Sequence, residues 1–439
     1  MRQHGITIIV PLRSGHEARL REKLNHIGHH IDSNGLIDFY ALRTVHFMRW
    51  VMLPGQTIRG QVIPPQLALS TNFDGEEKVH LHELVTVGAK GVQAIYEHCA
   101  DFPGIDDPDQ AVAYLQRHKF SNAAFYGGTV GRAVGQIHDE RQLRYAVQNH
   151  LQTSNPSQDW RGQSEAELHR EIAGAMLAEP DLQSLREPAR YTFLYRHGRL
   201  VLGLGLLVFL LALVAAFVFA TKAALIGLGI FLVWFASWYI RLRIHEKRDR
   251  ENFKPAPRDA ERLAELNQRE DYRIQNQITH LVEIKPGWFR QRTIRFVLGA
   301  INLAAHLVYN RGNLGGIPSI HFARWAIIDG GKRLLFFSNF DGSWESYLGE
   351  FIDRASVGLT GVWSNTEGFP PTKNLVYEGA QNSADFKAWV RAKQLETQVW
   401  YSAYKTLTVQ NINNNTDIRN GLSGELNQEE KAAWLQKLN

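Results

Sequence analysis

The chain has 439 residues but only one cysteine, Cys99, and four methionines. A single thiol excludes an internal disulfide framework and any zinc site built from several cysteines. It also suits a reducing compartment. His26, His29 and His30 have helical spacing, but no zinc pattern accompanies them. No Walker loop, dinucleotide fingerprint, nucleophile elbow or zinc-protease helix occurs. An excess of one charge is missing too: 49 Lys and Arg against 44 Asp and Glu leave a formal +5. Nucleic acid is therefore not an expected partner. Met1 leads almost directly into a strand-like run, so no signal peptide is expected.

What the sequence does contain is repetition, which defines the folding unit. His46-Phe47-Met48-Arg49-Trp50 returns as His321-Phe322-Ala323-Arg324-Trp325. Each copy is followed by the same turn, Asn72-Phe73-Asp74-Gly75 and Asn339-Phe340-Asp341-Gly342. From Asp74 to Pro103 and from Asp341 to Pro370 the copies align without a gap, with Leu81/Leu348, Gly91/Gly358 and Phe102/Phe369 among the identities. Each copy reads as strand, helix, two strands, helix, strand. The first strands are Ile6–Leu12 and Ile278–Ile284, and the last are Ala123–Tyr126 and Gln398–Tyr401. The second helix carries an apolar stripe at helical spacing in both copies: Leu81, Leu84, Val85, Val92 and Leu348, Phe351, Ile352, Leu359.

This β-α-β-β-α-β order is the ferredoxin-like pattern, with helices on one face of a sheet. The expected fold class is α+β: two ferredoxin-like repeats, residues 1–150 and 277–425, stacked face to face as one α/β barrel. A tail follows at 426–439.

Between the copies lie two long apolar runs, Leu200–Ala220 and Ala223–Ile240, joined by Thr221-Lys222. About 20 apolar residues cross a bilayer core as a helix, so residues 199–241 read as a transmembrane hairpin and the lipid bilayer as a partner. Arg190, Arg196 and Arg199 precede it, and Arg241, Arg243, Lys247, Arg248 and Arg250 follow. The positive-inside rule puts both repeats in the cytoplasm. Residues 151–198 and 242–276 read as polar and charged stalks.

Several residues invite a chemical role. Asp74 and Asp341 stand just before helices, where a carboxylate caps exposed N–H groups. Strand alternation puts Arg49 and Arg324 on one face with Phe, and His on the other with Trp. An arginine near the turn aspartate would form a partly buried ion pair. Because both copies keep His, Arg and Asp, a structural role is the plainer one. The differences between copies are the better guide to function: His306 on an apolar helix, Trp344 and Tyr347 where the first copy has Glu77 and His80, and the polar run through Asn413 and Asn415. That run suits a turn or ligand hydrogen bonds.

The tandem layout resembles the dimeric α/β-barrel superfamily, in particular its chlorite dismutase and dye-decolorising peroxidase branch. Ser338-Asn339-Phe340-Asp341-Gly342 is similar to a degenerate Gly-x-x-Asp-Gly motif of those peroxidases. The resemblance implies haem in the second repeat, with His306 as proximal ligand, Asp341 as distal acid and Arg324 as distal arginine. It also implies a peroxidase-like oxidoreductase acting on a hydrophobic substrate at the membrane. The other class kept open is a non-catalytic, membrane-anchored module that binds a hydrophobic ligand or scaffolds a partner. Trp344, Asn413 and Asn415 would line such a ligand site, and self-association into a homo-oligomer would complete the cover.

Overall fold

The computed structural model describes residues 3–153, 163–189, 191–257, 259–270, 273–309, 312–423 and 426–438. The first half runs β1 (Gln3–Pro11), α1 (Glu17–His29), β2 (Val45–Leu53), β3 (Gln66–Asp74), α2 (Glu77–Val87), α3 (Ala89–Tyr96), α4 (Pro108–Arg117), β4 (Lys119–Phe120) and β5 (Asn122–Gly127). Helices α5 (Val134–Thr153), α6 (Glu165–Ala178), α7 (Phe193–Phe219), α8 (Thr221–Asn252) and α9 (Ala260–Glu270) lead to the second half. There β6 (Gln275–Glu283), α10 (Trp288–Leu307), β7 (Ile320–Ile328), β8 (Arg333–Asp341), α11 (Trp344–Trp363), α12 (Ser383–Lys393), β9 (Gln394–Leu395) and β10 (Val399–Ser402) repeat the order. Helices α13 (Val409–Leu422) and α14 (Gln428–Gln436) finish it.

The fold is α+β, with two antiparallel five-stranded sheets ordered β10-β2-β3-β1-β4 and β9-β6-β8-β7-β5. The last strand of each half does not close its own sheet. Strand β10 pairs with β2 of the first half, and β5 pairs with β7 of the second. The same alternating pattern satisfies either sheet edge, so sequence periodicity could not choose between them. The exchanged strand enters tightly: a Cβ on Gly28 would lie 1.8 Å from the Gln398 carbonyl oxygen, which only glycine permits.

The inner faces of the sheets meet through Ile9, Val51, Leu53, Ala68, Leu281, Ala326, Leu335 and Phe337. Helices α1–α4 cover the outer face of the first sheet, and α10–α12 that of the second. The long second helix is interrupted at matching places. Gly88 separates α2 from α3, and Ala355 has φ −126° and ψ 15° within α11. Helices α4 and α12 add a layer that the simple β-α-β-β-α-β reading omits.

A third core unites the two halves. Leu143 and Val147 of α5, Ile172 and Met176 of α6, Ile418 and Leu422 of α13, and Trp434 of α14 pack together. Residues 151–198 are therefore not simply a solvated stalk, because α6 belongs to this cluster. Part of that stalk, 154–162 and Arg190, lies outside the described residues. The asparagine run is helical rather than a turn, since Thr408 and Asn411 form a capping box at the start of α13.

Helices α7 and α8 are each long and apolar enough to cross a membrane, and their apolar stretches are not buried in the protein. The second extends well past the apolar run, so the charged segment after Arg241 begins as helix instead of loose stalk. Its end docks on the second half. Leu242 packs against Phe289 and Leu375, and buried Glu246 accepts hydrogen bonds from the Thr372 hydroxyl and the Asn374 and Leu375 N–H groups. Asp249 pairs with Lys285 at 2.8 Å and with Arg290. On α7, Gly198 abuts the Leu307 carbonyl at the end of α10. The apolar hairpin is thus fixed to the second half at both feet. Replacing Glu246 with alanine leaves two buried donors and one partly buried donor without that acceptor, and about 3 kcal/mol of stability should be lost. Thermal unfolding of the detergent-solubilised protein measures it, with Glu246→Gln expected to lose less.

Candidate functional site

The repeated motif lies where the two sheets meet at one end. A bulge interrupts β2 between Val45 and Phe47, and the matching irregularity in β7 falls between Ile320 and Phe322. Each bulge breaks the strict alternation expected from the sequence and turns its histidine toward the opposing sheet. His46 and Phe322 rings lie 5.4 Å apart, and Phe47 and His321 rings 5.2 Å. His46 Nε2 meets Asp74 Oδ1 at 3.0 Å, and His321 Nε2 meets Asp341 Oδ1 at 2.7 Å. The aspartates pair with histidine, then, and not with arginine. Their second oxygens accept the Val134 and Val409 N–H groups, each at 2.8 Å. They cap helices as expected, but the helices capped are α5 and α13 instead of those that directly follow them.

Glutamines complete each assembly. Gln3 donates to the Arg132 carbonyl at 2.8 Å, and Gln275 to the Tyr404 carbonyl at 3.0 Å and to that of Leu407. Both hold the loop that enters the capped helix. Sequence reading passed over these glutamines because each precedes its histidine by more than 40 residues. Symmetry breaks at the far ring nitrogen. His46 Nδ1 shares a hydrogen bond with the Tyr404 hydroxyl at 2.9 Å, whereas His321 Nδ1 has no partner among the described residues.

Arg49 and Arg324 cross between sheets. Arg49 of β2 donates to the Ile278 and Ser338 carbonyls, both at 2.9 Å, to Gln277 at 2.8 Å, and to the Asn339 side chain. Arg324 of β7 returns the contact, donating to the Thr71 carbonyl at 3.3 Å and the Ser70 hydroxyl. The Phe337 ring lies 5.3 Å from one guanidinium and 5.8 Å from the other. Burial pushes both guanidinium groups down to about 9, still well above neutral pH, so both are cations there. Neither has a carboxylate partner among the described residues; carbonyls and side-chain oxygens carry the charge instead.

The other sequence-selected residues are scattered. His306 is exposed on α10, its Nδ1 2.7 Å from the Asn302 carbonyl oxygen of its own helix. Trp344 is buried at the start of α11 beneath the Arg391 guanidinium, 3.7 Å from its ring centre. Asn413 lies partly buried on α13, and Asn415 is buried there with neither amide atom partnered among the described residues. The structure brings Asp341 and His321 together but does not gather His306, Asp341 and Arg324 into one site.

A different place has the form of a ligand site. Between α10, α11 and the outer face of the second sheet lies a cavity of about 300 Å³. Ile301 and Ala304 form one wall, Trp325 the floor, and Phe351, Leu359 and Trp363 the other wall; Arg354 stands at its edge. The kink at Ala355 lies in this lining. A smaller void beside it reaches His280 and shares Phe351, Leu359 and Trp363. The indole N–H groups of Trp325 and Trp363 and both nitrogens of His280 are buried without partners among the described residues. Burial pushes the His280 ring down to about 3, so it is neutral at physiological pH.

No protein-family description matches this sequence, and no curated protein or solved structure matches the chain.

The motif's geometry is that of a structural clamp. Asp74→Ala and Asp341→Ala each remove a histidine partner and a helix cap, so each should cost about 2–4 kcal/mol, read as lowered thermal stability. Arg324→Lys should also destabilise, because an ammonium cannot reproduce the guanidinium fork.

Proposed function

We propose that this protein is a membrane-anchored module that binds a hydrophobic ligand in the chamber between α10 and α11. The observation that carries this reading is the apolar cavity at Trp325 and Trp363, walled on one side by α10, whose end touches α7 at Gly198. A concave, largely apolar site with a few polar groups is the usual form of a small-molecule pocket. Its position lets a molecule leave the bilayer and reach the protein with little exposure to water. In this reading the halves are two ferredoxin-like repeats whose sheets close on one another as an α/β barrel. Both lie on the cytoplasmic side, with the turn at Lys222 outside.

The haem reading fits the residues less well. His306 is exposed, Asp341 is engaged by His321 and the Val409 N–H, and Arg324 is spent on Ser70 and Thr71. None of the three borders the chamber at Trp325 and Trp363.

Two experiments test the proposal. Gly358 lies in the cavity lining and a Cβ there would meet nothing within 4 Å, so Gly358→Leu should fill the space without clash. Lipid extraction and mass spectrometry should find a hydrophobic compound with the wild-type protein and at least tenfold less with the variant. Equal amounts would reject the chamber as the site. For orientation, Cys99 is fully buried and its thiol is pushed up to about 12, so it stays unlabelled. Lys222→Cys should then react with a membrane-impermeant maleimide from outside intact cells. Labelling only after lysis would reverse the topology.

A further inference from the structure

We infer that α10 is a third element in contact with the bilayer: an interfacial helix lying along the boundary between lipid headgroups and acyl chains, with Trp288, Phe296 and Leu303 facing the lipid. This rests on the membrane-anchored reading above and adds the surface by which the two-sheet body sits on the membrane.

The two feet of the apolar hairpin fix where α10 lies. Helix α7 meets its C-terminal end: a Cβ on Gly198 would lie 2.5 Å from the Leu307 carbonyl oxygen, so only glycine allows the approach. Helix α8 meets its N-terminal end. The Trp238 and His245 rings lie 6.1 and 5.1 Å from the Phe289 ring, and Leu242 packs against it. The apolar runs begin at Leu200 and end at Ile240, so both contacts fall at the mouth of a span. Phe289 and Leu307 stand about 27 Å apart along the helix axis. A helix held at both ends by the mouths of two spans lies along the membrane surface.

The side of α10 turned toward those feet is apolar and open. With about 3.6 residues per turn, Phe289, Phe296, Ala300, Leu303 and Leu307 fall within an arc of about 60°. Both ends of that stripe touch the hairpin, but in its middle Phe296 is 76% exposed and Leu303 55%. Trp288, also exposed, continues the surface at the first turn, its ring 5.2 Å from the Arg241 guanidinium just past the second span. Arg292 and Arg295 are exposed beside it. An apolar patch rimmed by polar residues marks an interaction site. A water-soluble partner would account for the apolar residues but not for their alignment with two span mouths. Aromatic and leucine side chains with flanking arginines are what the headgroup boundary accepts, the rings entering it and the guanidinium groups meeting lipid phosphate. Helix α10 also supplies Ile301 and Ala304 to the chamber wall, so this contact sets the chamber beside the lipid.

The test uses the full-length protein reconstituted in vesicles of phosphatidylcholine and phosphatidylglycerol. Because buried Cys99 stays unlabelled, single nitroxide labels are introduced by Phe296→Cys and Leu303→Cys. Val79→Cys on α2 serves as the aqueous reference and Phe209→Cys on α7 as the span reference. All four positions are exposed, so none of the substitutions disturbs a core. Collision rates with oxygen, which partitions into lipid, and with a water-soluble nickel chelate report the surroundings of each label. At Phe296→Cys and Leu303→Cys the oxygen-to-nickel ratio should exceed that at Val79→Cys by about tenfold. Water-like ratios at both, with Phe209→Cys in lipid, overturn the interfacial helix and leave the anchor standing. Water-like ratios at Phe209→Cys as well overturn both readings. Few collisions with either reagent, together with broadening between labels on separate molecules, assign the face to a second copy of the chain and overturn the inference.

Discussion

Everything in this molecule depends on the reciprocal crossing of Arg49 and Arg324 between two sheets. Each guanidinium leaves its own strand and is solvated by oxygen atoms of the opposing sheet. A buried cation without a carboxylate would be prohibitive in an apolar layer. Here the opposing backbone supplies the missing solvation, so the charges are tolerable only when the sheets are correctly opposed. That makes the arginines specifiers of register. Gly5 fits this account, since a Cβ there would lie 2.6 Å from an Arg324 nitrogen. The repeated His–Asp pairs act at the end of the same layer, tying the bulged strands to the starts of α5 and α13.

The two halves use one plan with different chemistry. Phe73 stacks on His80 at 3.9 Å, and Phe340 on Tyr347 at 3.8 Å. His80 approaches the Thr71 hydroxyl at 3.3 Å, while Tyr347 donates to Ser338 at 2.7 Å. At these positions substitution has kept the hydrogen bond. Around Trp325 and Trp363 it has not: the corresponding bond, from the Trp50 indole to the Tyr96 hydroxyl at 3.4 Å, belongs to the first half. Duplication provides an internal reference: a contact conserved in kind is architecture, and a contact kept in one half alone marks where the copies have diverged.

Much of the architecture could be read from the residues. The apolar stripes along α2, α3 and α11, the long apolar helices and the doubled turn all carry short-range signals that periodicity captures. Strand exchange was illegible because Phe125-Tyr126 and Trp400-Tyr401 would suit either sheet. The histidine bulges were missed for a related reason, since one extra residue shifts the side-chain period without altering composition. The Asn413–Asn415 run has poor helix formers, yet a capping box and the Thr416 hydroxyl's bond to Glu140 of α5 hold it helical. His306 attracted interest through its apolar neighbours, but it occupies the exposed side of α10. The Tyr96-to-Trp363 difference was visible in the alignment. Its meaning required knowing that Trp50 and Trp325 stand beside those positions.

The exchanged strands also impose an order on biogenesis. During synthesis the first sheet has an open edge at β2 until Val399–Ser402 leaves the ribosome, after the apolar hairpin has already emerged. Strand β5 must meanwhile wait for β7 before its backbone groups are paired. The two-sheet body therefore cannot be completed before the apolar hairpin has emerged, and an open strand edge is an aggregation hazard during that interval. The apolar hairpin emerges first and the sheets close second, so the chain carries an exposed apolar surface and an open strand edge at once until its last strand is made.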